Sequence, residues 1–394
     1  MANSAVDILP ASSKRKLILA GQIAFLPTGV LTTLLGPMLP ILMVHWAMDD
    51  ARAGDLFLVQ FLASLAGVQL SGVLLSRWGF RPAFLSGLLL MASGVASLYL
   101  GGFWLGMFSV AVYGLGLGLI IPSDNLLVAE LSGGADPASP EASRAGAVSL
   151  LNFFWGVGAV FCSLMVAWSA AHKLLPVFLG GVALFLLALV WATRNLHFPP
   201  AETSAKSSAA WIDMAKSPAI WIFAAVFFLY PGAETAVGGW IGSYVSRLGA
   251  RGAAMASMMP AFFWSALTVG RALGSVLLRG VSERRVLRAG YAGGAAGIGL
   301  MIWAPSLAGV IVGAMITGLS FATLYPITVA RLSERFGVAA RSIGAVMFSL
   351  ASVGPAVLPW MVGVISHATG SLRAAMVVPL GATVILFVIH LFEW

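Results

Sequence analysis

Glu234 is the residue whose type and position first call for a chemical explanation. It lies near the middle of FFLYPGAETAVGGWIGSYV, Phe227 to Val245, within an apolar segment long enough to cross a bilayer. A charged side chain at membrane depth costs at least ~2.5 kcal/mol on insertion scales, so acids found there usually face a polar cavity and work in it. Pro231, Gly232, Gly238 and Gly239 surround it, and Pro231-Gly232 predicts a helix break beside the acid. Broken helices at that depth line a cavity or are buried in protein. A carboxylate so placed can take up and release a proton as a cavity opens to one side and then the other, which makes Glu234 the first candidate for proton coupling and points to a transport pathway.

Other polar groups lie inside apolar runs. At 1.5 Å per residue, Asp124 is about 10 Å from the Leu131 end of its run, while Asn152 lies about 12 Å past Arg144 and Arg271 about 12 Å before Arg279. These three share a level; Glu234, about 20 Å below Arg247, is more central. Asp124 is the second candidate for proton coupling, and Arg271 is a candidate gating residue opposite Asp124 or Asn152. Thr28 and Thr32 are four residues apart, hence on one helix face. Asn125, Asn152, Trp240 and Tyr325 add two amides, a ring with a donor, and a ring with a hydroxyl. Ring faces with a few directed polar groups are how proteins hold sugars and similar polyols, so these six residues form the candidate substrate set. Structural readings stand beside these: Asp124 and Arg271 as a buried ion pair, Glu234 as a brace at the break, the amides and threonines as helix-to-helix glue, and Trp240 and Tyr325 as packing.

Composition requires a membrane. The chain of 394 residues is 60% hydrophobic and 9% charged, with mean hydropathy +0.97, beyond what a water-soluble domain of this length shows. The net charge of +8 comes from basic residues in short loops between apolar runs, as membrane topology requires, so no nucleic acid partner is implied. The single cysteine, Cys162, excludes an intrachain disulfide. The five histidines lie near span ends or in loops without ligand spacing, so no metal site or cofactor is expected. There is no Gly-x-x-x-x-Gly-Lys-Ser/Thr and no catalytic constellation, which points away from an ATPase or enzyme and toward gradient energy.

The elements that must position these groups follow from hydropathy. Residues 1–16 read as a cytoplasmic leader. A first six-helix bundle occupies 17–193, with spans at roughly 17–44, 53–76, 82–101, 104–131, 145–170 and 174–193. A polar linker, 194–217, leads into a second bundle, 218–394, with spans at roughly 218–246, 254–279, 286–304, 307–331, 341–366 and 373–392. With the N-terminus inside, only Arg52, Lys173, Arg247, Arg251 and Arg373 fall outside; the other Lys and Arg, apart from Arg271 within a span, are cytoplasmic. The halves repeat. Gly72-Val-Leu-Leu-Ser-Arg77 matches Gly274-Ser-Val-Leu-Leu-Arg279, Gly114 with Pro122 matches Gly318 with Pro326, and Gly146-Ala-Val148 with Gly156 matches Gly344-Ala-Val346 with Gly354. Repeated halves place a substrate site at the bilayer midplane. The run Gly114-x-Gly116-x-Gly118 lies inside a span, so it reads as close helix packing and not as a nucleotide loop.

The loop Gly72-x-Leu74-x-Ser76-Arg77-x-Gly79-Phe80-Arg81 resembles the Gly-x-x-x-Asp-Arg-x-Gly-Arg-Arg signature of the major facilitator superfamily, with Ser76 where that family has Asp. The resemblance implies gating roles for Arg77 and Arg81. More narrowly, YPGAETAVGGWIGSYV and the GLxFAxxYP pattern ending at Pro326 are similar to the fucose–proton symporter group and its sodium–glucose-transporter-like relatives. That group carries proton-linked acids on the first and fourth spans; here the fourth has Asp124 and the first has none.

The resulting expectation is an all-α integral membrane protein of twelve spans, built as two pseudo-symmetric six-helix bundles in the major facilitator fold. It is expected to be a multi-pass protein of the plasma (inner) membrane with both termini cytoplasmic. Its expected activity is secondary transport of a small polar, sugar-like solute by alternating access, coupled to the proton, with sodium as the other cation. An exporter of amphipathic compounds is the alternative within transport, and a non-transporting receptor the alternative outside it. The expected partners are the solute, the coupling cation and the lipid bilayer, with the chain acting as a monomer.

Overall fold

The computed structural model describes residues 10–132, 140–199, 217–277, 281–336 and 340–392, and among them every regular element is helical. The linker expected at 194–217 therefore lies mostly outside the described residues. Among the described residues, eleven helical segments are long and apolar enough to cross a membrane. The remaining expected span, the ninth, is the helix Glu283–Trp303; it opens on Glu283, Arg284, Arg285 and Arg288, and five glycines lower its hydropathy.

The chain runs through span two at Asp50–Trp78, three at Phe80–Ser97, four at Phe103–Ser132, five at Pro140–Ala171 and six at Leu175–Thr193. Span seven is Pro218–Ser246, eight ends in Met259–Leu277, eleven is Ala340–Thr369, and twelve ends in Val377–Leu391. Spans one and ten are each in two pieces: Ala11–Thr33 with Leu35–His45, and Leu307–Phe321 with Leu324–Phe336. Helix begins at Ala11, within the expected leader.

The breaks are not where the sequence placed one. Span seven continues unbroken through Pro231-Gly232. The interruptions fall instead at Leu34 and at Ala322 and Thr323, shortly before Pro37 and Pro326; the carbonyls of Thr33 and Ala322, four residues before each proline, lose their usual donor because proline has no N–H and its ring crowds the turn. At Pro231 span eleven supports the helix from outside: Gly232 and Gly354 bring the two backbones together, and a Cβ at Gly354 would strike the Phe228 carbonyl. Neighbouring helices of this kind allow proline to remain in a membrane helix.

By contacts the chain divides into two units, Met1–Leu34 with Leu62–Ala205, and Leu35–Phe61 with Lys206–Trp394. By this division the second piece of span one and the first part of span two go with the later spans. Inside the first unit, a Cβ at Gly67 would meet the Leu115 carbonyl, at Gly87 the Gly116 carbonyl, and at Gly94 the Ser109 carbonyl. The later unit repeats the same three approaches at Gly270 with Leu319, Gly290 with Ser320, and Gly297 with Gly313. Gly158 meets the Leu26 backbone as Gly354 meets Phe228, so the counterpart of Gly354 is Gly158 and not Gly156. Gly116 and Gly118 lie against spans three and two respectively, which is the packing role of that glycine run.

Large apolar side chains cover the outside, among them Phe108, Val177 and Leu184. Trp78, Trp104, Trp168, Trp191, Trp221 and Trp303 are all exposed and all lie near span ends, where amphipathic rings sit at the headgroup level.

Candidate functional site

Span seven carries the densest polar cluster of the later unit. Tyr230 and Glu234 are one helical turn apart, so their side chains meet on one face. The Tyr230 hydroxyl bonds to Glu234 Oε2, and it also lies 2.9 Å from the Phe321 carbonyl oxygen of span ten. On the other side of the carboxylate, Arg271 Nη2 of span eight is 3.8 Å from Glu234 Oε1, with the Glu234 side chain 13% exposed and that of Arg271 24%. Tyr325, just past the break in span ten, stacks on Tyr230 with ring centroids 6.4 Å apart and meets Phe227 edge-on at 5.8 Å. Three spans thus bring an acid, a guanidinium and two phenols together around the break in span ten. Such a cluster can hold a proton, exchange it between neighbouring oxygens, and offer a polyol both ring faces and directed donors.

Among the sequence candidates, Glu234, Arg271 and Tyr325 meet here. Counted along the backbone, Arg271 shares a level with Asp124, but its long side chain carries the guanidinium well away from its Cα to Glu234. Trp240 lies one turn and a half further along span seven. It is fully buried, donates its N–H to the Pro359 carbonyl at 2.9 Å, and packs on Phe57, so in this conformation it is part of a helix interface.

The first unit holds the others. Thr28 donates to the Ala24 carbonyl at 2.8 Å and Thr32 to the Thr28 carbonyl at 2.7 Å; the Trp155 indole N–H in turn reaches the Thr32 hydroxyl at 3.4 Å. Asn125 and Asn152 bond back to the Ile121 and Val148 carbonyls one turn before them. Local bonds of this kind satisfy the groups in place. Asp124 is different: it is fully buried and neither of its oxygens has a hydrogen-bond partner among the described residues. It faces Gly21 of span one, where any Cβ would run into the carboxyl. Arg77 is exposed at the end of span two, and Arg81 donates to the Arg194 carbonyl, closing the end of span six.

Two functional-looking features escaped the sequence reading. Tyr230 stood in the quoted stretch, and its spacing of four from Glu234 was the available signal. The second is a cluster at the end of the later unit that the charge count assigns to the outside. There Asp50 holds Arg247 and Ser366, Asp49 lies 3.6 Å from His367, and the Trp360 indole donates to Asp55 at 3.1 Å.

A family model described as the Major Facilitator Superfamily matches residues 23–351. Bypass of stop codon protein 6 of Saccharomyces cerevisiae is 23% identical over 292 residues, 64% of this chain, and the chain spans 55% of that protein's length. An uncharacterized MFS-type transporter of Yersinia pestis is 25% identical over 314 residues, 78% of this chain and 77% of its own. Of solved structures, the nucleoside transporter NupG aligns with TM-score 0.77 and 14% identity, over 97% of this chain and 100% of that one. The E. coli fucose:proton symporter FucP aligns with TM-score 0.66 and 17% identity, over 96% and 99%. At these identities the structural likeness is one of fold.

Proposed function

The chain belongs to the major facilitator superfamily of membrane transporters, and from that premise we propose that it moves a small polar, sugar-like solute by alternating access driven by the proton. The observation that carries this reading is the Glu234 carboxyl, held between a phenol of its own span and the guanidinium of span eight, beside the break in span ten. Ionised, the carboxylate pairs with Arg271; protonated, it loses that attraction and the local charge changes by one. A group with this property can link proton binding to a change of conformation, because any ligand with different affinity for two states shifts their balance. Tyr230, Tyr325 and Arg271 supply the rings and donors for a ring polyol. The structural neighbours NupG and FucP, named for nucleosides and fucose, carry solutes that share a sugar ring, which supports the same class here.

Asp124 is the second proton-linked group in this proposal, since a buried carboxyl without a hydrogen-bond partner is costly to keep for structure alone. Arg271 then acts as the partner of Glu234. Thr28, Thr32, Asn125 and Asn152 are the candidate solute contacts of the first unit, freed from their local bonds when solute enters. The plasma membrane, with both termini cytoplasmic, is the proposed location. A thermal-shift screen of purified protein against hexoses, deoxyhexoses and nucleosides identifies the solute. Counterflow of that labelled solute in proteoliposomes then separates a transporter from a receptor: a transporter exchanges it and a receptor only binds it.

A further inference from the structure

We propose that Tyr230 is a positioning residue that passes the protonation state of Glu234 to the break in span ten. The inference rests on the reading of Glu234 as the coupling group, and adds how its proton reaches the backbone that moves. The Tyr230 hydroxyl is within bonding reach of two acceptors, the Glu234 carboxyl and the Phe321 carbonyl oxygen at 2.9 Å. A phenol has one proton to give. Both contacts are therefore hydrogen bonds at once in a single arrangement: protonated Glu234 donates to the Tyr230 oxygen, and Tyr230 donates to the Phe321 carbonyl. When Glu234 is ionised, the phenol proton turns to the carboxylate, because hydrogen bonds to charged oxygens are roughly twice as strong as neutral ones. The Phe321 carbonyl then loses its phenol donor. No atom is transferred in this step; one proton arrives at Glu234 and one O–H rotates.

The acceptor at stake sits where the backbone is weakest. Phe321 ends the helix Leu307–Phe321, so its carbonyl belongs to the last turn, which lacks intrahelical donors. The next carbonyl, that of Ala322, loses its usual donor to Pro326. The phenol therefore pins the break when Glu234 is protonated and releases it when Glu234 is ionised. The groups facing the pair are Arg271 of span eight, Tyr325 of span ten and Tyr291 of span nine, with Arg271 favouring the ionised, released state. Among the described residues, spans eleven and twelve and the Leu35–His45 piece, which also pack on span seven, put no charged or titratable side chain against Glu234.

Hydrogen–deuterium exchange on the full chain in lipid nanodiscs, without solute, reads the break directly at the amides of residues 322–325. After correction for intrinsic exchange, wild type should become more protected as pH falls, by roughly 3- to 10-fold, the scale of one net hydrogen bond. Glu234→Gln, whose amide donates to the phenol at every pH, should hold the low-pH protection throughout. Tyr230→Phe should show the released value throughout. If Tyr230→Phe keeps the wild-type pH dependence while Glu234→Gln abolishes it, the relay is overturned and Glu234 stands as the coupling group. If Glu234→Gln keeps the dependence, the coupling reading falls first. Should Tyr230→Phe fail to fold, Glu234→Gln alone decides: a break fixed at the released value would contradict the relay.

Discussion

Arg247 and Asp50, 197 residues apart in the chain, form a two-pronged ion pair, with Arg247 Nη1 donating to Asp50 Oδ2 at 3.0 Å and Nη2 to Oδ1. Ser366 Oγ donates to the same Oδ2 at 2.5 Å, so the start of span two, the end of span seven and the end of span eleven are tied at one carboxylate. The Arg247 side chain is 40% exposed, which places the pair near the upper end of solvent-exposed pairs, at about 1 kcal/mol. A double-mutant cycle of Asp50→Asn and Arg247→Gln, read by melting in detergent, should return a coupling of that size. Additive effects would show that the two residues do not stabilise this end together.

The glycine contacts give a sharper stability prediction. A Cβ at Gly354 meets backbone on span seven and has nowhere to go, whereas one at Gly381 meets nothing within 4 Å. Gly354→Ala should cost about 1–3 kcal/mol, as overpacking does. Gly381→Ala should be neutral or gain up to about 1 kcal/mol from helix propensity. Equal melting temperatures for the two variants would contradict the close approach of spans seven and eleven.

How much of this was legible in the sequence follows from what each feature depends on. Span length and hydropathy are properties of consecutive residues, so twelve helical segments could be read, and Glu234 stood out because a charge in an apolar run is local information. Which proline breaks a helix is not local: Pro37 and Pro326 follow interruptions, while Pro231 sits in a continuous helix backed by Gly354. The pairing of Asp50 with Arg247 and Ser366 has no sequence pattern, because nothing in the chain marks residues so far apart as partners. The meeting of Arg271 with Glu234 depends on the reach of a long side chain, which depth along the backbone does not show. Tyr230 is readable from its spacing of four to Glu234, which puts both side chains on one helix face.

Asp124 tests whether a buried carboxyl serves the fold. Replacing an unsatisfied buried polar group by an apolar one of similar size is nearly neutral or stabilising. Asp124→Leu should therefore melt at or above the wild-type temperature, while pH-driven solute accumulation in proteoliposomes is lost. A loss of about 3–5 kcal/mol would instead mean that an opposite charge holds Asp124 in place.

The central claim is that Glu234 carries the coupling proton, and Glu234→Gln tests it most directly because it fixes the neutral form in nearly the same shape. Proteoliposomes are loaded for two assays with the labelled solute that raises the melting temperature of the wild-type protein. One assay measures exchange at equal pH; the other measures accumulation with the outside acidic relative to the lumen. The account predicts that Glu234→Gln exchanges solute within a few-fold of wild type and accumulates none above equilibrium. Accumulation at the wild-type level in the Gln variant would contradict it and move the proton to another group, with Asp124 next to be tested.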